Sequence, residues 1–270
     1  MGYEIDFLGV GEESKSGDAI ALRYGNLHGH RDEQTVVVID GGFQSTGSKI
    51  IDHITTCFGT SKVDLVINTH ADQDHINGLE TVLNELEVKE LWIHQPWLHN
   101  QGLADKFKDG RVTDNSLGDR LKQNLEKAWS LVQLAESKAV TVREPFTGLT
   151  DIGGGVKVLG PSVEYYESLI PDFDGMPEKA IATNALESFF DKVAASISRF
   201  FAIWGEDQID DDGVTSAKNN LSVITQLVVE GRRSVFTGDA GIQALDYAAD
   251  QIEQCTSGAE LRFMQIPHHG

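Results

Sequence analysis

The chain has 270 residues, enough for one large domain or two small ones, and its composition of 40% hydrophobic and 24% charged residues is that of a soluble globular protein. No apolar run reaches bilayer length, the N-terminal "MGYEIDFLGVGEE" lacks the basic and apolar regions of a signal peptide, and Cys57 and Cys255 form neither a disulfide framework nor a thiolate metal site. A net charge of −20 excludes the basic footprint of a nonspecific nucleic-acid binder, so nucleic acid is a possible but disfavoured partner, and the expected setting is cytoplasmic and away from membranes.

Tyr3–Val10 and Ala19–Tyr24 read as short strands around a Gly-containing turn. Thr35–Ile39, "TVVVI", is a β-branched run of the fully buried type, and it stops at Asp40-Gly41-Gly42, where the chain must turn. Asp52–Phe58 closes a helix, and Val63–Asn68 is a second buried strand. After Gly78, Leu79, Val82, Leu83 and Leu86 have helical spacing, and Glu90–His94 is a short strand. From Trp97 to about Lys138 the pattern is helical and polar, with Leu117, Leu121, Leu125, Trp129 and Val132 on one face. Strands return at Val140–Arg143 and Val156–Leu159. Between Tyr165 and Lys218 lie an apolar helix-like stretch, "FFDKVAASISRFFAIW", and an acidic loop, "GEDQIDDDG", read as a solvated connection. Ser222–Val229 and Ser234–Thr237 read as a hairpin across Glu230-Gly231-Arg232-Arg233. A helix follows over Ile242 to Gln254, and the strand Leu261–Ile266 delivers "PHHG".

The stretch "VINTHADQDHINGL" places His70, Asp72, Asp74 and His75 just past a buried strand and just before a helix. In α/β proteins ligands bind beyond the carboxyl ends of strands. Four imidazole and carboxylate groups this close together call for a positive charge among them, and their nitrogen and oxygen atoms suit Zn²⁺, Mn²⁺ or Fe²⁺. Three other strands end in the same way: at Asp40 in "VVVIDGG", at Asp239 in "FTGDAG" and at His268-His269 in "IPHHG". One composite site at one sheet edge explains all four endings, and the adjoining glycines allow close approach of backbone and substrate. His94 and His99, in "WIHQPWLH", are further pocket candidates.

"THADQDHINGL", "FTGDAG" and "IPHHG" resemble the signature blocks of the metallo-β-lactamase superfamily, and "FLGVGEESKSGDAIALRYG", "VVVIDGG" and "NNLSVITQLVVEGRRSVFTGDA" are similar to its ComEC-like metallohydrolase subgroup. The resemblance implies an αββα sandwich of two mixed sheets flanked by helices. It implies a single domain over 1–270, with insertions near 97–138 and 165–218 and a natural chain that continues past Gly270. It also implies metal ligation by His70, Asp72, Asp74, His75, Asp239 and His269, with Asp239 bridging two ions and Asp40 orienting the first motif through hydrogen bonds. Asp74 would orient the attacking water, and His268 would face the substrate as an anion binder or leaving-group acid. Two positions depart from the family pattern. Asp72 stands where the usual HxHxDH motif has histidine, and Asn219-Asn220 stand where a further histidine ligand is expected. Harder oxygen ligands make the two metal positions unequal and bring Mn²⁺ into competition with Zn²⁺.

The expected function is that of a metal-dependent hydrolase with one or two divalent ions, acting on a phosphodiester through a metal-activated water. Hydrolysis of a lactone, thioester or amide is the alternative enzymatic reading. A non-catalytic metal-binding component of a multi-protein system is the alternative of another class. Lys218, beside the Asn pair, is a candidate phosphate clamp, while Arg232, Arg233 and Arg262 are too few to make a basic strip.

Overall fold

The computed structural model describes residues 1–11, 16–180, 215–254 and 258–267. The expected apolar stretch and acidic loop inside 181–214, Cys255, and the His268-His269-Gly270 terminus lie outside the described residues.

Two mixed sheets pack face to face with helices outside them. The first has six strands in chain order: β1 (Gly2–Phe7), β2 (Ile20–Gly25), β3 (Gln34–Ile39), β4 (Lys62–Ile67), β5 (Glu87–Trp92) and β6 (Thr141–Arg143). The β1–β2 and β2–β3 pairs are antiparallel, and the pairs from β3 to β6 are parallel. The second sheet has the order β10 (Glu260–Met264), β9 (Arg232–Phe236), β8 (Ile224–Val229), β7 (Val156–Gly160), with only β10–β9 parallel.

Strand alternation divides the core in two. Ile20, Leu22, Val37, Ile39, Leu65 and Ile67 face the second sheet and meet Val156, Val158, Leu227 and Phe236. Their neighbours Ala21, Val36, Val38 and Val66 point the other way, into the helical layer. That layer contains α1 (Gln44–Thr56), α3 (Leu79–Glu85), α4 (Asp114–Asn124) and α5 (Glu126–Ser137); Ile50, Ile54, Val82, Leu83, Leu117, Leu121 and Leu131 supply its buried stripe. On the far face of the second sheet, α8 (Ile242–Glu253) packs against β7 and β8. The remaining helices are short: α2 (Gln73–Ile76), α6 (Val163–Leu169) and α7 (Ala217–Asn220).

Two local readings differ from the sequence expectation. The apolar face from Leu117 to Val132 is split at Leu125, whose φ of −116° and ψ of 41° end α4 and start α5. A one-residue kink leaves the apolar spacing nearly intact, so periodicity alone reads straight through it. The β8–β9 hairpin turns on Glu230-Gly231 alone, both at positive φ (51° and 73°), and Arg232 and Arg233 already belong to β9. Arg233 is buried and Arg262 pairs with Glu260 at 2.8 Å, so these arginines form no exposed basic strip. No helix among the described residues is long and apolar enough to cross a membrane.

Candidate metal centre

The site lies where β3, β4 and β9 end, at the rim between the sheets. Asp40 follows β3 directly, and its backbone N–H donates to the Ile67 carbonyl at the end of β4. The carboxylate is fully buried, in a left-handed residue of φ 56°. Its Oδ1 accepts from the Thr69 backbone N–H (2.7 Å) and Asn68 Nδ2 (3.2 Å), and its Oδ2 accepts from the Thr69 hydroxyl (2.5 Å) and meets His75 Nδ1 (2.8 Å). One carboxylate thus braces both ends of the His70–His75 loop. The Asp40-Gly41-Gly42 turn also packs on the loop's exit: Gly41 N–H donates to the His75 carbonyl at 2.6 Å and Gly78 N–H to the Gly42 carbonyl at 3.1 Å. A Cβ on Gly41 would stand 2.5 Å from the Leu79 nitrogen, so this contact requires glycine.

Because His75 gives Nδ1–H to Asp40, its Nε2 is the nitrogen turned to the site, 3.3 Å from Asp239 Oδ2. His70 Nδ1 meets the hydroxyls of Thr69 (3.1 Å) and Ser222 (3.3 Å), and its Nε2 lies 3.5 Å from the same Asp239 oxygen. Asp239 sits past β9 after Gly238, which has φ 50° and whose absent Cβ leaves room for Thr69; a Cβ there would approach Thr69 to 2.9 Å. The Ser222 hydroxyl also accepts from the Asp239 N–H at 3.2 Å, so it braces both strand ends.

His70, His75 and Asp239 are all buried, and each offers a ligand atom within 4.8 Å of the other two. Ligands about 2.1 Å from a tetrahedral ion stand about 3.4 Å apart. The observed 3.3 and 3.5 Å therefore fit a single divalent ion held by two imidazole nitrogens and one carboxylate oxygen. Burial works against a charge on His75, but the carboxylates of Asp40 and Asp239 outweigh it and push its pKa up to about 11. A proton thus stands at His75 where a cation would otherwise compensate the two acids.

The other candidates surround this cluster less closely. Asp72 stands at the N-cap position of α2, is partly exposed, and lies 3.8 Å from His70 Nε2 and 3.4 Å from Lys218 Nζ. Asp74 lies in the first turn of α2, its backbone pressed against Gly17. Neither aspartate belongs to the compact triad. The two asparagines differ from each other. Asn219 Oδ1 accepts from the Ser216 hydroxyl at 2.8 Å, whereas Asn220 Oδ1 is buried without a hydrogen-bond partner among the described residues. His268 and His269 lie outside the described residues, but the chain reaches the site: Gln265 Oε1 accepts from the Thr237 N–H at 3.2 Å. Of the two earlier histidines, His99 bridges Glu144 (3.1 Å) and Glu167 (2.8 Å), and His94 lines a cavity beside His70.

Three participants were not singled out from the sequence: Asp18, Ser222 and Gln265. Asp18 lies 4.0 Å from His75 Nδ1, accepts from Gln265 Nε2 at 2.6 Å, and has its pKa raised by burial and by Asp40. Asp18, Asp40 and His75 also fall within 4.8 Å of one another, yet Asp40 is occupied by four hydrogen-bond contacts and His75 Nδ1 is one of them. That second trio therefore serves as a brace and fits an ion poorly. In the sequence Asp18 follows Gly17 just ahead of β2, inside the block "FLGVGEESKSGDAIALRYG".

No curated protein matches the sequence. A crystal structure of a Thermotoga maritima protein provisionally named a metallo-beta-lactamase is similar over 71% of this chain and 91% of its own, at 13% identity and a TM-score of 0.33. Residues 30–161, which contain Asp40 and the whole His70–His75 motif, match the family model of the metallo-beta-lactamase superfamily.

Proposed function

We propose that the protein is a metal-dependent hydrolase of phosphodiesters. The observation that carries this reading is the buried His70–His75–Asp239 triad, spaced for a divalent ion, with the Lys218 ammonium close by, 3.4 Å from Asp72. When bound, a divalent ion, Zn²⁺ or Mn²⁺, supplies Lewis-acid polarisation of the ester and acidifies water. The chain's own groups do the rest. Asp40 fixes the His75 tautomer and holds the loop. Ser222 holds His70 against Asp239. Asp74 orients the attacking water, and Lys218 attracts an anionic phosphoryl oxygen. His268 and His269 are proposed as substrate-facing acid and last ligand, and Asp72 with Asn220 as the oxygen donors of a weaker second position.

A second reading, hydrolysis of an uncharged lactone, thioester or amide, is favoured by one observation: the cavity against His70 is walled largely by apolar side chains, Ala128 and Phe173 among them. Turnover of bis(p-nitrophenyl) phosphate in Mn²⁺ and Zn²⁺, set against a lactone and a thioester, separates the two. Cleavage of the diester supports the first. Cleavage of the lactone or thioester, with diesters and short oligonucleotides untouched in every metal, hands the function to the second.

A further inference from the structure

The cavity beside His70 measures about 30 Å³, room for roughly two waters or a group of a few heavy atoms. Its lining includes His70 of the triad and Lys218, together with Ala128, Phe173, His94 and Tyr166. Its walls are mainly apolar, yet two of the lining residues carry buried polar atoms. Both ring nitrogens of His94 and the Tyr166 hydroxyl are buried without a hydrogen-bond partner among the described residues.

Such atoms are uncommon in folded proteins and costly to leave unpaired. Here they sit on two neighbouring rings, with centroids 4.4 Å apart and planes inclined by 31°. Phe146 packs on His94 at 5.0 Å, so aromatic contact rather than hydrogen bonding fixes the imidazole. Burial, with His99 adding to it, pushes the His94 pKa down to about 3, which leaves the ring neutral with one donor and one acceptor nitrogen. A charged group would find no counter-charge at these two neutral rings. A small uncharged group with a hydrogen-bonding atom suits the space.

We propose that this cavity is a substrate subsite for a small uncharged polar group, such as a carboxamide, carried next to the hydrolysed bond and read by His94 and Tyr166. The assignment of the group to a substrate rests on the hydrolase reading above; the binding itself does not. The direct test titrates acetamide into the full-length zinc-loaded protein labelled with ¹⁵N-histidine, the His94 signals being identified by their loss in His94→Phe. The expected result is a saturable shift of the His94 ring signals, with affinity weakened roughly three- to tenfold in Tyr166→Phe, the size of one lost uncharged hydrogen bond. Unmoved His94 signals would overturn the proposal. A kinetic arm compares carbamoylmethyl with isobutyl p-nitrophenyl phosphate, which match in shape. Wild type should favour the carboxamide by about tenfold in kcat/KM, and Tyr166→Phe should bring the ratio down toward one. Acetamide binding at His94 with neither diester cleaved would sink the phosphodiester reading and leave the subsite standing; cleavage of both diesters at equal rates would remove its role in substrate choice.

Discussion

On the Asp40 flank of the triad, one buried carboxylate takes four hydrogen-bond contacts from Asn68, Thr69 and His75, whereas on the Lys218 flank a half-exposed Asp72 meets a lysine at 3.4 Å and a histidine at 3.8 Å. The first flank is preorganised: buried hydrogen bonds hold its side chains in place. The second has room to adjust, and its candidate donors are carboxylate and amide oxygens. On the proposed reading, a site built this way should hold one ion tightly and admit a second weakly, or together with substrate.

The harshest way to break the comparison is to remove a triad member. His75→Ala should abolish metal uptake and turnover while leaving the circular dichroism of the sheets in place, because His75 lies in the short helix α2 beyond β4 and outside both sheets. Asp40→Asn tests the brace. Asparagine tolerates the positive φ, so the change isolates the charge. It should weaken metal binding about 10–100-fold, as loss of an orienting partner does, and lower stability by about 3 kcal/mol through the broken buried pair with His75. An Asp40→Asn variant with native metal affinity would show that the preorganised flank is ornamental.

The pH dependence sharpens the same point. In metal-free protein the folded-state pKa of His75 lies above the unfolded value of about 6.5, so its stabilising pairs are fully present below that pH and are lost as pH rises toward about 11. A metal ion displaces this proton, so affinity should climb over the same window, by up to about tenfold per pH unit. Denaturant melts of stripped protein and metal titrations at several pH values read the two trends, which should run in opposite directions.

Smaller effects belong to the looser flank. Asn220→His should tighten the second binding event for Zn²⁺ about tenfold by replacing a neutral oxygen with an imidazole. Asn219→His should not, since the Asn219 carbonyl is already bonded to Ser216. Lys218→Met should raise KM for an anionic diester by about three- to tenfold, the worth of one partly exposed charge, and barely affect an uncharged ester.

Much of this arrangement was legible in the sequence. The buried β-branched and apolar runs "TVVVI" and "VDLVIN" placed β3 and β4, and the recurrence of ligand-type residues at strand ends pointed to one rim. What was hidden depends on contacts between distant segments. Asp18 meets the site because β2 pairs with β3 in a register that sets Ile20 against Ile39 and so brings the head of one strand beside the end of the other. Ser222 reaches His70 because Val223 N–H bonds to the Thr69 carbonyl across the two sheets at 3.0 Å. A lone serine or aspartate carries no local pattern from which such pairings could be read. The kink at Leu125 was hidden for the opposite reason: the local pattern was strong and continuous through it.

The central claim is a preorganised one-ion site beside a weaker second position. Calorimetric titration of Zn²⁺ or Mn²⁺ into stripped protein, run in parallel with His75→Ala, tests it most directly. The structure predicts one tight event near one ion per chain, a looser event after it, and loss of the tight event in the variant. Two equally tight events, or a tight event that survives in His75→Ala, would contradict it.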